Sequence, residues 1–466
     1  MITLYPDQQD LIDRTRQAMR RHKSVLMRAG TGSGKTVMAS WLVASAQARG
    51  KRTWFTVPRK ELTVQTSETY KEFNIPHSHI AAEYPFNPYS KSHVCSVGTL
   101  IRRLDSVKPP DLAIIDEAHF GGESLDVIIK WLKKHGSWVI GLSATPWRLS
   151  GEGLGRWYDD MVEGPSTRWL IDNKRLSDYR LFAPNRPDLS GIKTVAGDYA
   201  KGQLSEFMEH DQILIGDAVK YYMEHGMGKL GVTYCASRKH SRMTAERYRE
   251  AGVMAMHIDG ETPAAERRQI IRDYAKREIL QLCNAQLLTF GFDLAAQVGR
   301  KDICVEAMTD LGPTKSLSQQ SQKWGRVLRY KPYPAMIFDH ASNIHYHGLP
   351  CADRDWTLDD RNSSMESEFA DEKTIPVRTC DKCFFSHKAA PKCPECGHVY
   401  PVKYREIDEV DGELGEINIA EMKARQEKDM KKKLHQLIAV GRKRGYKDPE
   451  AFAAKIVTEQ MRGGRA

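Results

Sequence analysis

Eight residues constrain this chain more than any others: Ala29-Gly30-Thr31-Gly32-Ser33-Gly34-Lys35-Thr36. The apolar run Val25-Leu26-Met27 precedes them and reads as a buried strand. Val37-Met38-Ala39-Ser40-Trp41-Leu42-Val43-Ala44 follows and reads as a helix. Strand, glycine-rich turn and helix is the setting in which backbone N–H groups turn inward and cradle phosphates. The start of the helix adds the positive end of its dipole. The pattern predicts a triphosphate site wrapped by the backbone of Gly30, Thr31, Gly32, Ser33 and Gly34. Lys35 would reach the β- and γ-phosphates and Thr36 would hold Mg²⁺. A glycine-rich turn without a ligand is the alternative; Gly-Lys-Thr after three alternating glycines argues against it.

Such a turn needs a sheet around it, and the sequence supplies one. Val25–Met27, Arg52–Val57, Val94–Val97, Leu112–Ile115 and Trp138–Leu142 are apolar runs separated by helical stretches, a βαβα pattern that predicts a parallel sheet covered on both faces. Residues 150–230 are punctuated by Gly151, Gly153, Gly155, Pro165, Pro184 and Pro187. A second series then begins, with strands expected at Gly231–Cys235, Val253–His257, Ile279–Cys283, Ile303–Ala307 and Ala335–Phe338. It has no phosphate loop of its own. Two α/β halves with one nucleotide loop predict a tandem pair facing a shared cleft. Residues 341–376 read as loop-rich and polar.

In the first half, Leu112-Ala113-Ile114-Ile115 runs directly into Asp116-Glu117-Ala118-His119. An apolar strand ending in two acids puts carboxylates at the C-terminal edge of a parallel sheet, where ligands bind. Asp116 is suited to hold Mg²⁺ through water, and Glu117 to orient and deprotonate an attacking water.

Ala29–Thr36 together with Asp116-Glu117-Ala118-His119 resembles a superfamily 2 helicase or translocase of the DEAD/DEAH-box kind. The resemblance implies two RecA-like lobes with ATP between them, and further segments match in order. Tyr5-Pro6-Asp7-Gln8 resembles the segment whose glutamine reads adenine, which would be Gln8. Thr56–Leu62 and Gly98-Thr99-Leu100 resemble motifs Ia and Ib, which face the nucleic-acid backbone and would contribute Arg59 and Thr99. Ser143-Ala144-Thr145 resembles motif III, which couples hydrolysis to lobe movement through Ser143 and Thr145. Tyr234-Cys235-Ala236-Ser237-Arg238 resembles motif IV, with Arg238 as a nucleic-acid contact. His257-Ile258-Asp259-Gly260 resembles a loop of the second lobe. Leu288–Asp293 resembles motif V, which would place Thr289 on nucleic acid and Gly291 and Asp293 near ATP. Gln322-Lys323-Trp324-Gly325-Arg326-Val327-Leu328-Arg329 resembles motif VI. Arg326 and Arg329, three apart on an expected helix, would share a face and offer two guanidinium groups to the γ-phosphoryl transition state, with Gln322 beside them. More narrowly, Gly141–Arg148, the glycine-rich stretch after it, a C-terminal four-cysteine module and Gly445-Tyr446-Lys447 resemble RadD-like bacterial and phage enzymes.

The chain carries nine cysteines. Cys95, Cys235, Cys283, Cys304 and Cys351 are isolated and read as small core residues. Cys380-Asp381-Lys382-Cys383 and Cys393-Pro394-Glu395-Cys396 form two knuckles whose four thiolates suit a structural, closed Zn²⁺ site; a redox dithiol pair is the rival. His387 and His398 nearby are expected to be exposed and not to be ligands. Net charge is +10 and the sequence pI about 9.0, a balance compatible with a polyanion partner. Charge divides sharply near the end: residues 401–420 carry two bases and six acids, and residues 421–466 carry thirteen bases and six acids. A helix is expected from about 417 to 440.

The expected organisation is therefore α/β: a first RecA-like lobe at 1–155, a connecting region at 156–225, a second lobe at 226–345, a zinc ribbon at 375–400 and a basic helical tail at 405–466. The polar N-terminus and the absence of a bilayer-length apolar run lead us to expect a cytoplasmic protein with no membrane partner. The expected activity is ATP hydrolysis, with Mg²⁺, coupled to movement on or unwinding of DNA in repair, recombination or replication. The ribbon or tail could also engage a replication or repair protein. An RNA helicase, a duplex-DNA translocase that leaves strands paired, and a non-motor ATP switch are the rivals.

Overall fold

The computed structural model describes residues 2–400 apart from 59, 121, 149, 185–186, 196, 211, 286, 289–302 and 361–376, together with 438, 448 and 450–451. The chain divides into two units, Met1–Tyr400 and Pro401–Ala466. Of the helix expected at 417–440, residue 438 is described and is helical; the rest of that stretch lies outside the described residues.

Seven strands form the first sheet: β1 (Ser24–Arg28), β2 (Thr53–Val57), β3 (Ser78–Ile80), β4 (Ser92–Ser96), β5 (Leu112–Ile115), β6 (Trp138–Ser143) and β7 (Asp160–Glu163). Their order is β3-β4-β2-β5-β6-β1-β7, and every neighbouring pair is parallel. Val25, Leu26, Met27, Ala113, Ile114 and Ile140 are all inaccessible. Such strands are covered on both faces, so they appear as unbroken apolar runs in the sequence.

β8 (Tyr179–Phe182) belongs to the second sheet. A small hairpin of β9 (Thr194–Val195) and β10 (Asp198–Tyr199) follows. The second sheet is completed by β11 (Gly231–Cys235), β12 (Ala255–His257), β13 (Gln281–Asn284), β14 (Ala307–Leu311) and β15 (Ala335–Asp339). Its order is β12-β13-β11-β14-β15-β8, again all parallel. The stretch expected to be a connector thus donates β7 to the first sheet and β8 to the second.

One strand is displaced from its expected place. Ile303–Ala307 was the apolar candidate, and the ladder instead runs over Ala307–Leu311. Asp310 interrupts the apolar signal, yet it is fully buried because Lys323 and two amides satisfy it. Ile303 and Val305 pack into the core as the segment enters the sheet.

β1, β6 and β5 lie side by side, with Arg28 opposite Ser143 and Ile115 opposite Gly141. The phosphate loop, Ser143-Ala144-Thr145 and the Asp116–His119 turn therefore leave one edge of one sheet together, where parallel sheets bind ligands.

A last hairpin, β16 (Val377–Thr379) with β17 (Ser386–Lys388), carries the cysteine knuckles. It covers the β8 edge of the second sheet: the Ala183 N–H donates to the Phe384 carbonyl at 3.0 Å, and the rings of Phe182 and Phe385 meet edge to face at 5.5 Å. Covering an edge strand satisfies its free backbone groups. Among the described residues no helix is long and apolar enough to cross a membrane.

Candidate ATP and zinc sites

The phosphate loop is shaped by two glycines with positive φ, Gly32 at 85° and Gly34 at 86°. At Gly34 a side chain is excluded twice over, because a Cβ there would stand 2.4 Å from Gln8 Nε2. The Gln8 amide is fixed at both ends: Nε2 donates to the Ser33 carbonyl at 2.9 Å, and Oε1 accepts from the Tyr5 N–H at 3.1 Å. Gln8 therefore braces the loop. Lys35 opens the helix Lys35–Ala48, and its Nζ donates to the carbonyls of Ala29 at 3.1 Å and Gly30 at 3.4 Å. Burial lowers the Lys35 pKa, while Glu117 and Asp116 oppose the shift.

Those two acids leave β5 together. Glu117 sits at φ 47°, a left-handed conformation uncommon outside glycine, and its N–H donates to Asp116 Oδ1 at 3.0 Å. Burial, and then the adjacent Glu117 charge, push the Asp116 carboxyl up to about 7, with Lys35 opposing. Paired carboxylates beside a loop bearing the Thr36 hydroxyl form an all-oxygen donor set, the kind that suits Mg²⁺.

The second lobe reaches this pair through the helix Leu317–Val327. Gln322 Nε2 donates to Glu117 Oε1 at 2.6 Å, and the chain of contacts continues inward. Glu117 Oε2 is 3.5 Å from His119 Nδ1, which is 2.8 Å from Ser143 Oγ. Ser143 Oγ in turn donates to the Thr145 carbonyl and accepts from the Thr145 N–H. Burial drives the His119 pKa down to about 4, so its ring is neutral near pH 7. Gly325, on the same helix, lies directly against the phosphate loop, and a Cβ on it would be 2.0 Å from Thr31 Cγ2. The helix itself is held to β14 by Lys323–Asp310, a 2.8 Å pair buried on both sides.

The two arginines do not share a helical face. The helix ends at Val327 with Leu328 as its cap, and Arg329 continues as extended chain bridged to Leu176. Trp324, Val327 and Leu328 are buried there, and the helix closes two residues short of Arg329. Arg326 lies close enough to lower the Lys35 pKa. Arg329 lies close enough to Cys304 and Lys331 to lower both of their pKa values.

With this geometry, the comparisons with known proteins agree. Residues 1–148 match the family model "Type III restriction enzyme, res subunit". A "51.5 kDa protein" of Lactococcus phage (isolate 7-9) is 30% identical over 381 residues, covering 81% of this chain and 78% of that protein. The chain is a superfamily 2 helicase. A "Putative mitochondrial ATP-dependent helicase irc3" of Schizosaccharomyces pombe is 25% identical over 303 residues, which is 58% of this helicase and 47% of that protein. A fragment of "a putative HsdR subunit of a type I restriction enzyme" from Vibrio vulnificus YJ016 shares the fold, with a TM-score of 0.56 at 18% identity; it covers 74% of this chain and 65% of that one. The helicase family implies ATP and Mg²⁺.

The expected nucleic-acid contacts of the helicase are differently disposed. Thr99 is buried, with its hydroxyl accepting from Ser96 Oγ at 3.1 Å. Arg238 is half exposed and pairs with Glu261 and, at 3.9 Å, with Asp259. Arg59, Thr289, Gly291 and Asp293 lie outside the described residues. His119 and Lys323 are the residues that sequence reasoning passed over as site members. The first was visible as the fourth letter of Asp-Glu-Ala-His; the second as the lysine inside Gln-Lys-Trp-Gly.

In the ribbon, Cys380 and Cys396 sulfurs stand 3.7 Å apart, as do those of Cys383 and Cys393, and all four lie within 4.8 Å of one another. A tetrahedron with Zn–S bonds of about 2.3 Å has edges of about 3.8 Å, so the four sulfurs fit zinc. His387, expected to be exposed, is buried: its Nε2 meets Tyr400 Oη at 2.8 Å, where the hairpin packs its small core.

Proposed function

We propose that this helicase uses ATP hydrolysis to move on or unwind DNA, and that it is RadD-like, acting in repair, recombination or replication. The observation that carries the reading is the unbroken path Gln322–Glu117–His119–Ser143–Thr145, which joins the second lobe to the hydrolytic acid and to the motif III segment. Closure of the cleft and placement of the base are then one event. Lys35 and the loop backbone bind the phosphates. Thr36 and Asp116 would hold Mg²⁺, which would offset phosphate charge. Glu117 takes the proton of the attacking water, with Gln322 fixing its second oxygen. Arg326, whose charge acts on Lys35, stabilises the transferring group; Arg329 supports the lobe interface.

DNA is favoured over RNA because the family model matching residues 1–148 is named for a restriction-enzyme subunit, and the four-cysteine ribbon and the Gly141–Arg148 segment resemble RadD-like enzymes. Arg59, Arg238 and Thr289 grip the backbone with little sequence preference. The basic segment 421–466 adds charge, and the ribbon or tail offers a surface for a protein partner. The deciding experiment is the ATPase rate against single-stranded DNA, duplex DNA, forked DNA and RNA. Stimulation by RNA alone would overturn the DNA assignment.

A further inference from the structure

The lobes are joined a second time, at a place the family motifs do not cover. After the helix Asn343–His347, residues 349–360 leave the second lobe and cross to the first. The near end is fixed in the second lobe: Leu349 and Cys351 belong to its core, and the Arg354 guanidinium donates to the carbonyls of His347 at 2.8 Å, Leu349 at 3.2 Å and Ala352 at 2.9 Å. The far end is fixed in the first lobe. The Gly155 N–H donates to the Leu358 carbonyl at 2.9 Å, the Gly153 N–H to Asp360 Oδ1 at 2.9 Å, and Trp147 Nε1 to the Asp359 carbonyl at 3.0 Å. The crossing is possible because residue 153 lacks a side chain: a Cβ there would stand 2.1 Å from the Leu358 carbonyl oxygen.

Between these anchors lies Trp356. Its ring packs on Trp147 at 5.1 Å between centroids, and the Arg28 guanidinium sits 4.3 Å over it. Trp147 follows Ser143-Ala144-Thr145 by two residues, and Arg28 is the last residue of β1 before the phosphate loop. Arg28 Nε also donates to the Ala144 carbonyl at 3.2 Å. One aromatic ring carried by the second lobe thus touches the base of the phosphate loop and the segment that leaves Ser143. The turn that receives the strap is itself rigid: Arg148 and Arg156 both pair with Asp126 and Glu152, and both guanidiniums face Trp157.

We propose that Trp356 is a positioning residue, and that the strap 349–360 is a brace transmitting lobe movement to motif III and the phosphate loop, so that nucleic acid bound across the lobes accelerates hydrolysis. This rests on the helicase reading above. The test uses the full chain and measures kcat and KM for ATP with and without the nucleic acid that stimulates the parental protein. We expect Trp356→Ala to lower the stimulated kcat roughly tenfold, with basal kcat and KM changing by less than about twofold. Trp356→Phe, which keeps a stacked ring, should recover most of the loss. Gly153→Ala should reproduce the loss with Trp356 intact, by displacing the far anchor. Should Trp356→Ala fail to fold, Asp360→Ala, which removes only the acceptor of the Gly153 N–H, carries the same expectation. Parental stimulation in Gly153→Ala, or a parallel fall of basal and stimulated rates in Trp356→Ala, would overturn the brace. A parental protein that no nucleic acid stimulates would fail the underlying reading instead, before any variant is compared.

Discussion

Gly325→Ala is the sharpest probe of the cleft. Gly325 lies in the last turn of the motif VI helix, and a Cβ on it would stand 2.0 Å from Thr31 Cγ2 and 2.3 Å from Thr31 Cβ. Thr31 Cγ2 can rotate away but Thr31 Cβ cannot, and ordinary contact begins at 3.4 Å, so the helix must withdraw from the phosphate loop by about 1.1 Å. Thr31 cannot absorb this, because rotation about its own Cα–Cβ bond leaves Cβ where it is. A withdrawal of that size stretches the 2.6 Å bond from Gln322 to Glu117 beyond hydrogen-bonding range and moves Arg326 with it. Misplacing catalytic groups by about 1 Å costs on the order of a hundredfold, equivalent to about 2.7 kcal/mol of barrier. The loop itself is untouched, so nucleotide affinity should change far less than turnover. Steady-state ATPase with saturating nucleic acid, alongside equilibrium nucleotide binding, separates the two quantities. Parental turnover in Gly325→Ala would refute the reasoning, because the contact between this helix and the loop could not then belong to the hydrolytic state.

Glu117→Gln keeps the shape of the site and removes its base, so hydrolysis should fall at least about a hundredfold while nucleotide still binds; near-parental ATPase would exclude Glu117 as the base. Arg326→Ala should cut turnover by a similar order or more and Arg329→Ala by less, since the Arg326 charge acts on Lys35 while Arg329 leaves the helix and bridges to Leu176; equal losses, measured as kcat, would restore the two-finger reading. His340 is inaccessible and its pKa is pushed down to about 4 by burial, so the unfolded chain, titrating near 6.5, binds more protons over the interval between. His340 alone should therefore contribute a drop of roughly 1.4 kcal/mol per pH unit as pH falls from 6.5 towards 4, and His340→Asn should remove that share of the slope in denaturant titrations. Elemental analysis should give one zinc per chain, and Cys383→Ser should lose it and also loosen the second lobe, because Phe385 of the ribbon packs on Phe182; less than about half an equivalent in the parental protein would rule out a tight site.

What the sequence determined by itself was local. The phosphate loop and the acids after β5 were legible because each lies in a few consecutive residues whose neighbours set their conformation, a strand before and a helix or turn after. The cysteine knuckles were legible for the same reason, since chelation needs close spacing. Both sheets announced themselves because buried parallel strands are apolar throughout. Strand edges and polar strands did not. β7 and β8 were read as connector because a four-residue strand is defined by the partner it finds, and β14 was misplaced because its buried Asp310 is stabilised by Lys323, thirteen residues away. The helix was expected to carry Arg329, and the burial of Leu328 ended it first. Residues 349–360 looked like polar loop, yet they bridge the lobes through partners some two hundred residues away, as with Trp147 and Asp359. Periodicity and spacing record what a residue's near neighbours require. Which lobe a tryptophan touches, and which glutamine meets Glu117, depends on packing between distant segments, and only the tertiary structure decides it.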